Sequence, residues 1–129
     1  MVNPKKLNYH RCYSDSTNET HLEEIQVKQN MAQAAPPAPP FLVSAFNPAT
    51  SYGFFSAPVG WFGDLHPSPA RQFMVLLSGE MEIEASDGHK VNMRPGDILQ
   101  LEDTWGKGHR SRNVGSEVSH FFVARVPTQ

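Results

Sequence analysis

A single cysteine, Cys12, in a chain of 129 residues excludes an internal disulfide and is compatible with a reducing compartment. It has no Cys-x-x-Cys partner, so a buried or idle thiol is expected. Long apolar runs are missing as well: no stretch approaches the roughly 20 residues of a bilayer-spanning helix. Residues 1–9 carry two lysines and no apolar run, which is not the pattern of a secretory signal. Charge of one sign is also lacking. Eleven Lys and Arg face thirteen Asp and Glu, and the densest basic group is only Lys107, Arg110 and Arg112. That balance excludes a nucleic-acid binder driven by charge. The expectation is a soluble, cytoplasmic, single-domain protein with no nucleic-acid and no membrane partner, long enough for one real core.

What is present falls into zones. Residues 1 to about 34 are polar and mixed, with a turn-like Ser14-Asp15-Ser16-Thr17-Asn18 between Tyr9-Cys12-Tyr13 and Leu22-Ile25-Val27. The weak alternation over residues 21–28 allows two short strands or a strand and a loop, while Glu23-Glu24 could equally start a short helix. Residues 35–40, Ala-Pro-Pro-Ala-Pro-Pro, cannot form an interior helix or a central strand, because proline lacks the donor and fixes φ. They read as a stiff, extended connector lying along the rest of the molecule, in preference to a ligand for a proline-recognition domain.

From Phe41 onward the pattern is all β. Phe54-Phe55, Trp61-Phe62 and residues 73–77 are aromatic or branched runs separated by Gly, Pro, Asn and Ser. In residues 80–85 glutamates alternate with Met81, Ile83 and Ala85, the mark of a strand with one wet face. Ser86-Asp87-Gly88 is a hairpin turn signal that puts His89 in solvent, and Pro95-Gly96-Asp97 is another turn. Residues 119–126 alternate again. Many short strands at this spacing indicate a sandwich or small barrel. The organisation expected is an N-terminal segment, 1–40, of strands and Pro-rich connector packing on a barrel domain, 41–129.

Within the barrel segment two blocks share a spacing. The first is Gly60, five residues, His66-Pro67-Ser68, three residues, Gln72, six residues, Gly79; the second is Gly106, two residues, His109, three residues, Asn113. This pattern resembles the two signature motifs of the cupin superfamily, small β-barrels whose usual site holds a metal on three histidines and one glutamate. His66 and His109 stand at the first and third histidine positions, Ser68 at the second and Gln72 at the glutamate. Thr104 stands where a proline is usual, and the gap from Gly96 to Thr104 is two residues longer than the family pattern. Residues 61–113 also resemble a group of small cupin-domain proteins with a His-Pro-small-Pro-Arg-Arg-Gln segment and an Asp-Thr-x-Gly-Lys-Gly-His segment. The resemblance implies an all-β cupin-type antiparallel barrel or jelly roll of two sheets, with its pocket where the two motifs meet. It also implies a homodimer, which would cover sheet edges.

The site residues follow from side-chain chemistry. His66 and His109 are read as paired metal ligands or acid/base groups, since histidine titrates near neutral pH. Gln72 could coordinate through its carbonyl oxygen or hydrogen-bond a substrate; the loss of the carboxylate charge favours the hydrogen bond. Ser68 leaves room for a substrate or a water. Asp64, two residues from His66, could be a replacement carboxylate or a general base, against a turn role after Gly63. Met74 shares a face with Gln72. Trp61 and Trp105 could line a pocket mouth, and His120 is the reserve candidate for a third imidazole. Glu102 and Asp103 read as rim residues. One divalent metal (Zn, Fe, Ni or Mn) on His66, His109 and Gln72, or none, is compatible with this set.

The losses at Ser68 and Gln72 argue against a metal-dependent dioxygenase. Proton-transfer chemistry on a small molecule (isomerisation, dehydration, lyase chemistry or cyclisation) survives the pattern better. A non-catalytic module that binds a small ligand is the alternative.

Overall fold

The computed structural model describes residues 6–128. It contains strands and no helix among them. The strands are β1 (Asn8–Ser14), β2 (Thr20–Gln26), β3 (Asn30–Ala32), β4 (Phe41–Val43), β5 (Ser51–Ala57) and β6 (Phe62–His66), followed by β7 (Gln72–Ser78), β8 (Met81–Ala85), β9 (Lys90–Met93), β10 (Ile98–Leu101), β11 (His109–Asn113) and β12 (Ser119–Arg125).

Two sheets face each other. One has six strands in the order β2-β1-β10-β7-β12-β5, the other four in the order β6-β11-β8-β9. Period-two alternation turns Leu76, Leu99, Phe121 and Val123 of the larger sheet inward against Met81, Ile83 and Met93 of the smaller. Burying each of these large side chains stabilises the fold by about 1.5–3 kcal/mol. On its outer side the smaller sheet is charged, as the alternation in residues 80–85 predicts. Arg112 Nε donates to Glu82 at 2.9 Å, and Arg110 pairs with Glu84 directly opposite.

The N-terminal segment is built into the larger sheet. β1 and β2 pair antiparallel around the turn at residues 15–18, and β1 then lies parallel to β10, with Cys12 opposite Leu101. Glu23 and Glu24 therefore sit in a strand and start no helix: in-register pairing with β1 outweighs their weak local preference. The segment caps the β10 edge of its own sheet, and the β1–β10 pair is the parallel exception in an antiparallel fold.

Residues 35–40 differ from the extended connector that their prolines suggest. They form the turn of a separate hairpin in which β3 pairs with β4, closed by Ala38 N donating to Ala35 O at 2.9 Å and Gln33 Nε2 donating to Ala38 O. The Pro36–Pro37 peptide bond is cis.

Candidate functional site

The two motifs meet because β6 and β11 are neighbours. His66 and His109 are direct partners in their antiparallel register, which brings the rings to 4.9 Å between centroids at an angle of 48°. Gly108 makes the approach possible. Its φ is +79°, and a Cβ there would lie 2.0 Å from the carbonyl oxygen of His66. Both rings line a cavity of about 430 Å³ between the sheets.

Each imidazole is held by its Nδ1. In His66, Nδ1 lies 2.7 Å from the backbone carbonyl of Asp64. A carbonyl only accepts, so this nitrogen carries the proton. In His109, Nδ1 lies 2.6 Å from Oδ2 of Asp103, and both side chains are buried. The Nε2 atoms are left for the cavity. Asp103 is fully buried, its backbone carbonyl accepts from Ser68 N at 2.8 Å, and its Oδ1 has no hydrogen-bond partner among the described residues. It is no rim residue. The segment between β10 and β11 folds inward and delivers it beneath His109, which proximity along the chain does not disclose. The sequence signal was its place in Asp-Thr-x-Gly-Lys-Gly-His, six residues before the histidine.

Behind this pair lies Cys12, buried as its lack of a partner suggested, with the potential ligand atoms of Cys12, Asp103 and His109 within 4.8 Å of one another. Burial, and after it the Asp103 carboxylate, push the Cys12 thiol far above its ordinary range. A thiol so disposed is neither a nucleophile nor a ready metal ligand.

Gln72 is buried, and its Oε1 accepts from Arg125 Nε at 3.2 Å, from the strand directly opposite. Ser68 is buried and donates to Ala70 O at 2.7 Å. Both line the cavity, as do Met74 and Trp61. The Trp61 indole lies over β6 because Gly63 has no side chain there; a Cβ would meet the ring at 2.6 Å. Phe55, Leu99, Leu101 and Phe121 make the rest of the wall largely apolar.

Three candidates lie elsewhere. Asp64 faces solvent, accepting from Leu65 N and Arg110 Nε, and these two bonds hold its carboxyl below the ordinary range. The β6–β11 register shifts between His109 and Ser111, so strict alternation does not carry Asp64 to the His66 side. Trp105 lies outside the cavity in a surface cleft beside Arg11 and Tyr13. His120 is on the outer face of β12, bonded to Ser56 at 2.7 Å, while its neighbour Phe121 takes the inward position. Asn113, the last motif position, is a staple: its Nδ2 donates to the carbonyls of Ala57, Pro58 and Glu117.

Glu102, half-way into the structure, receives Arg11 Nε and Arg71 Nε at 2.7 Å each. Burial alone would raise its carboxyl; the two guanidinium groups outweigh that and hold it below the ordinary carboxylate range. It ties β1 and the approach to β7 to the end of β10.

A cupin domain family model matches residues 53–125. No curated protein sequence matches the chain. Among solved structures, the cupin domain of Schizosaccharomyces pombe Cnp3 is 15% identical with a TM-score of 0.51, covering 98% of this chain and 90% of that one. The cupin domain of an XRE family transcriptional regulator from Enterobacter cloacae is 25% identical with a TM-score of 0.46, covering 60% and 83%. The Drosophila melanogaster CENP-C cupin domain is 12% identical with a TM-score of 0.46, covering 76% and 75%. With strand order, paired motifs and a family model over more than half its length in agreement, this chain belongs to the cupin domain family.

Proposed function

We propose that this cupin carries out proton transfer on a small, largely apolar molecule in the cavity between its sheets, with His109 and His66 as the acid/base pair. The observation that carries the reading is the buried 2.6 Å contact of Asp103 with His109 at the cavity wall. A carboxylate on Nδ1 fixes the ring and its tautomer and leaves Nε2 as the atom that gains or loses a proton. His66 offers a second Nε2 beside it. One imidazole takes a proton from carbon or oxygen while the other, protonated, returns one to a neighbouring oxygen. Isomerisation and elimination of water both fit that balance. The apolar wall with Gln72 and two imidazoles at one side suits a ring-bearing molecule with one polar edge.

The metal centre usual in this family does not fit the donor set. Gln72 Oε1 accepts from the Arg125 guanidinium, which puts a cation where a ligand oxygen would face another, and Ser68 gives its proton to Ala70 O. Two imidazoles remain, a poor holder of a divalent ion.

The test is solvent deuterium exchange. Cyclic and aromatic carbonyl compounds and alcohols are screened by thermal shift, and those that stabilise the protein are followed by proton NMR in D2O. Deuterium entering the ligand with the parent, and lost with His109→Ala or His66→Ala, is the expected result. Ligands that bind without exchange would overturn catalysis in favour of a binding module, a reading that the apolar wall and the internally bonded Gln72 and Ser68 also support.

A further inference from the structure

Glu102 and Trp105 meet away from the cavity, in a cleft of about 380 Å³ whose wall also holds Arg11, Tyr13, Arg71 and Thr104. Alternation along the chain keeps the two places apart. Glu102 and Thr104 face the cleft, while Asp103 between them turns inward beneath His109. Two guanidinium groups converge here on one carboxylate. Arg11 Nε and Arg71 Nε each donate to Glu102 at 2.7 Å, and the Glu102 side chain is only 14% exposed. Arg71 Nη1 is taken by the carbonyl of Pro127, and Arg11 Nη1 by Glu23, which lies outside the cleft wall. Arg11 Nη2 has no hydrogen-bond partner among the described residues. The same guanidinium lies over the Tyr13 ring, 4.5 Å from its centroid. The cleft wall thus carries two cations, already oriented, against one anion.

Trp105 adds a surface of another kind. Its side chain is large and apolar, yet the residue is 47% exposed. Its backbone is pinned: Ser14 Oγ donates to its carbonyl at 2.7 Å, and Lys107 N donates to Asn18 O in the β1–β2 turn at 2.9 Å. An aromatic ring held open on a fixed loop is a stacking platform. We propose that this cleft is a second ligand site, for a small planar carboxylate that bears an aromatic ring. The carboxylate meets Arg11 Nη2 and an N–H left on Arg71, beside the Thr104 hydroxyl, and the ring lies on Trp105. The flat guanidinium fork matches a carboxylate, and Glu102 has already fixed both arginines in place. The volume lies at the low end of small-ligand sites, about 300–1,000 Å³, which suits one ring with a short acidic arm. An uncharged ring would leave the arginine donors to water, and an inorganic anion would leave the indole bare. Only the combination uses both walls.

Saturation-transfer NMR on the full chain tests this, with benzoate and indole-3-acetate as probes and benzamide and inorganic phosphate as controls. Ligands this small are expected to bind with dissociation constants on the order of 1 mM. Benzamide, which lacks the charge, should bind about 10-fold more weakly than benzoate. Phosphate, which lacks the ring, should compete poorly. Trp105→Ala, at an exposed position, should raise the dissociation constant for benzoate about 10-fold while keeping the parent's far-UV circular dichroism. His66→Ala should bind benzoate as the parent does, which separates the cleft from the cavity. No transfer to either probe at about 10 mM overturns the proposal. So does binding that survives in folded Trp105→Ala, is lost in folded His66→Ala, or is matched by benzamide or phosphate. If Trp105→Ala fails to fold, Thr104→Glu, which sets a like charge beside the carboxylate, decides by the same outcomes. The result is independent of the chemistry in the cavity.

Discussion

Oδ2 of Asp103 lies 2.6 Å from Nδ1 of His109, six residues further along the chain, with both side chains in the interior and only the histidine on the cavity wall. Removing the carboxylate leaves a buried N–H without an acceptor, at about 1–3 kcal/mol. Asp103→Ala should lose that much in urea unfolding and should lose deuterium exchange into the ligand. Asp103→Asn, which keeps an acceptor for Nδ1, should unfold nearer to the parent yet still exchange more slowly. Equal exchange in parent and Asp103→Asn would show that the carboxylate does not act through the ring.

Gly108→Ala is expected to be among the more damaging single-methyl changes in the chain. The residue sits at φ +79°, and the new Cβ would fall on the His66 carbonyl. A loss of about 1–3 kcal/mol from the backbone conformation alone is expected, with the clash adding to it. Histidine NMR should show His66 displaced. An unchanged unfolding midpoint would refute the close approach.

Glu102→Gln should cost about 1.5–3 kcal/mol at pH 7, since two guanidinium groups lose their charge-assisted acceptor. The pH dependence has a fixed sign. The folded carboxyl is held below its unfolded value, so its contribution is present above about pH 4.3 and fades as pH falls through the folded value. Parent and variant midpoints should therefore separate at pH 7 and converge toward pH 3. A gap that widens on acidification would contradict this.

Metal analysis of protein purified without an affinity tag should find well under one equivalent of zinc, iron, nickel or manganese per chain. Ser68→His with Gln72→Glu restores the usual ligand types at both altered positions, and calorimetry should then detect tighter zinc binding. Stoichiometric metal in the parent, lost in His66→Ala, would overturn the reading of the donor set.

The sequence by itself determined the β-rich fold, the turns at residues 86–88 and 95–97, and the family pattern from Gly60 to Asn113. Alternation and turn chemistry are local, and the motif glycines and histidines are recorded by spacing alone. Tertiary structure decided the rest. It placed Asp103 beneath His109, turned Asp64 outward through a register shift, set His120 on the outer face and gave Gln72 to Arg125. It also made a hairpin of the proline segment and ran β1 parallel to β10. Those outcomes depend on which strands pair and in what register, and a shift of one residue reverses every side chain. Pairing joins residues as far apart as Cys12 and Leu101, so no local window of the sequence contains it.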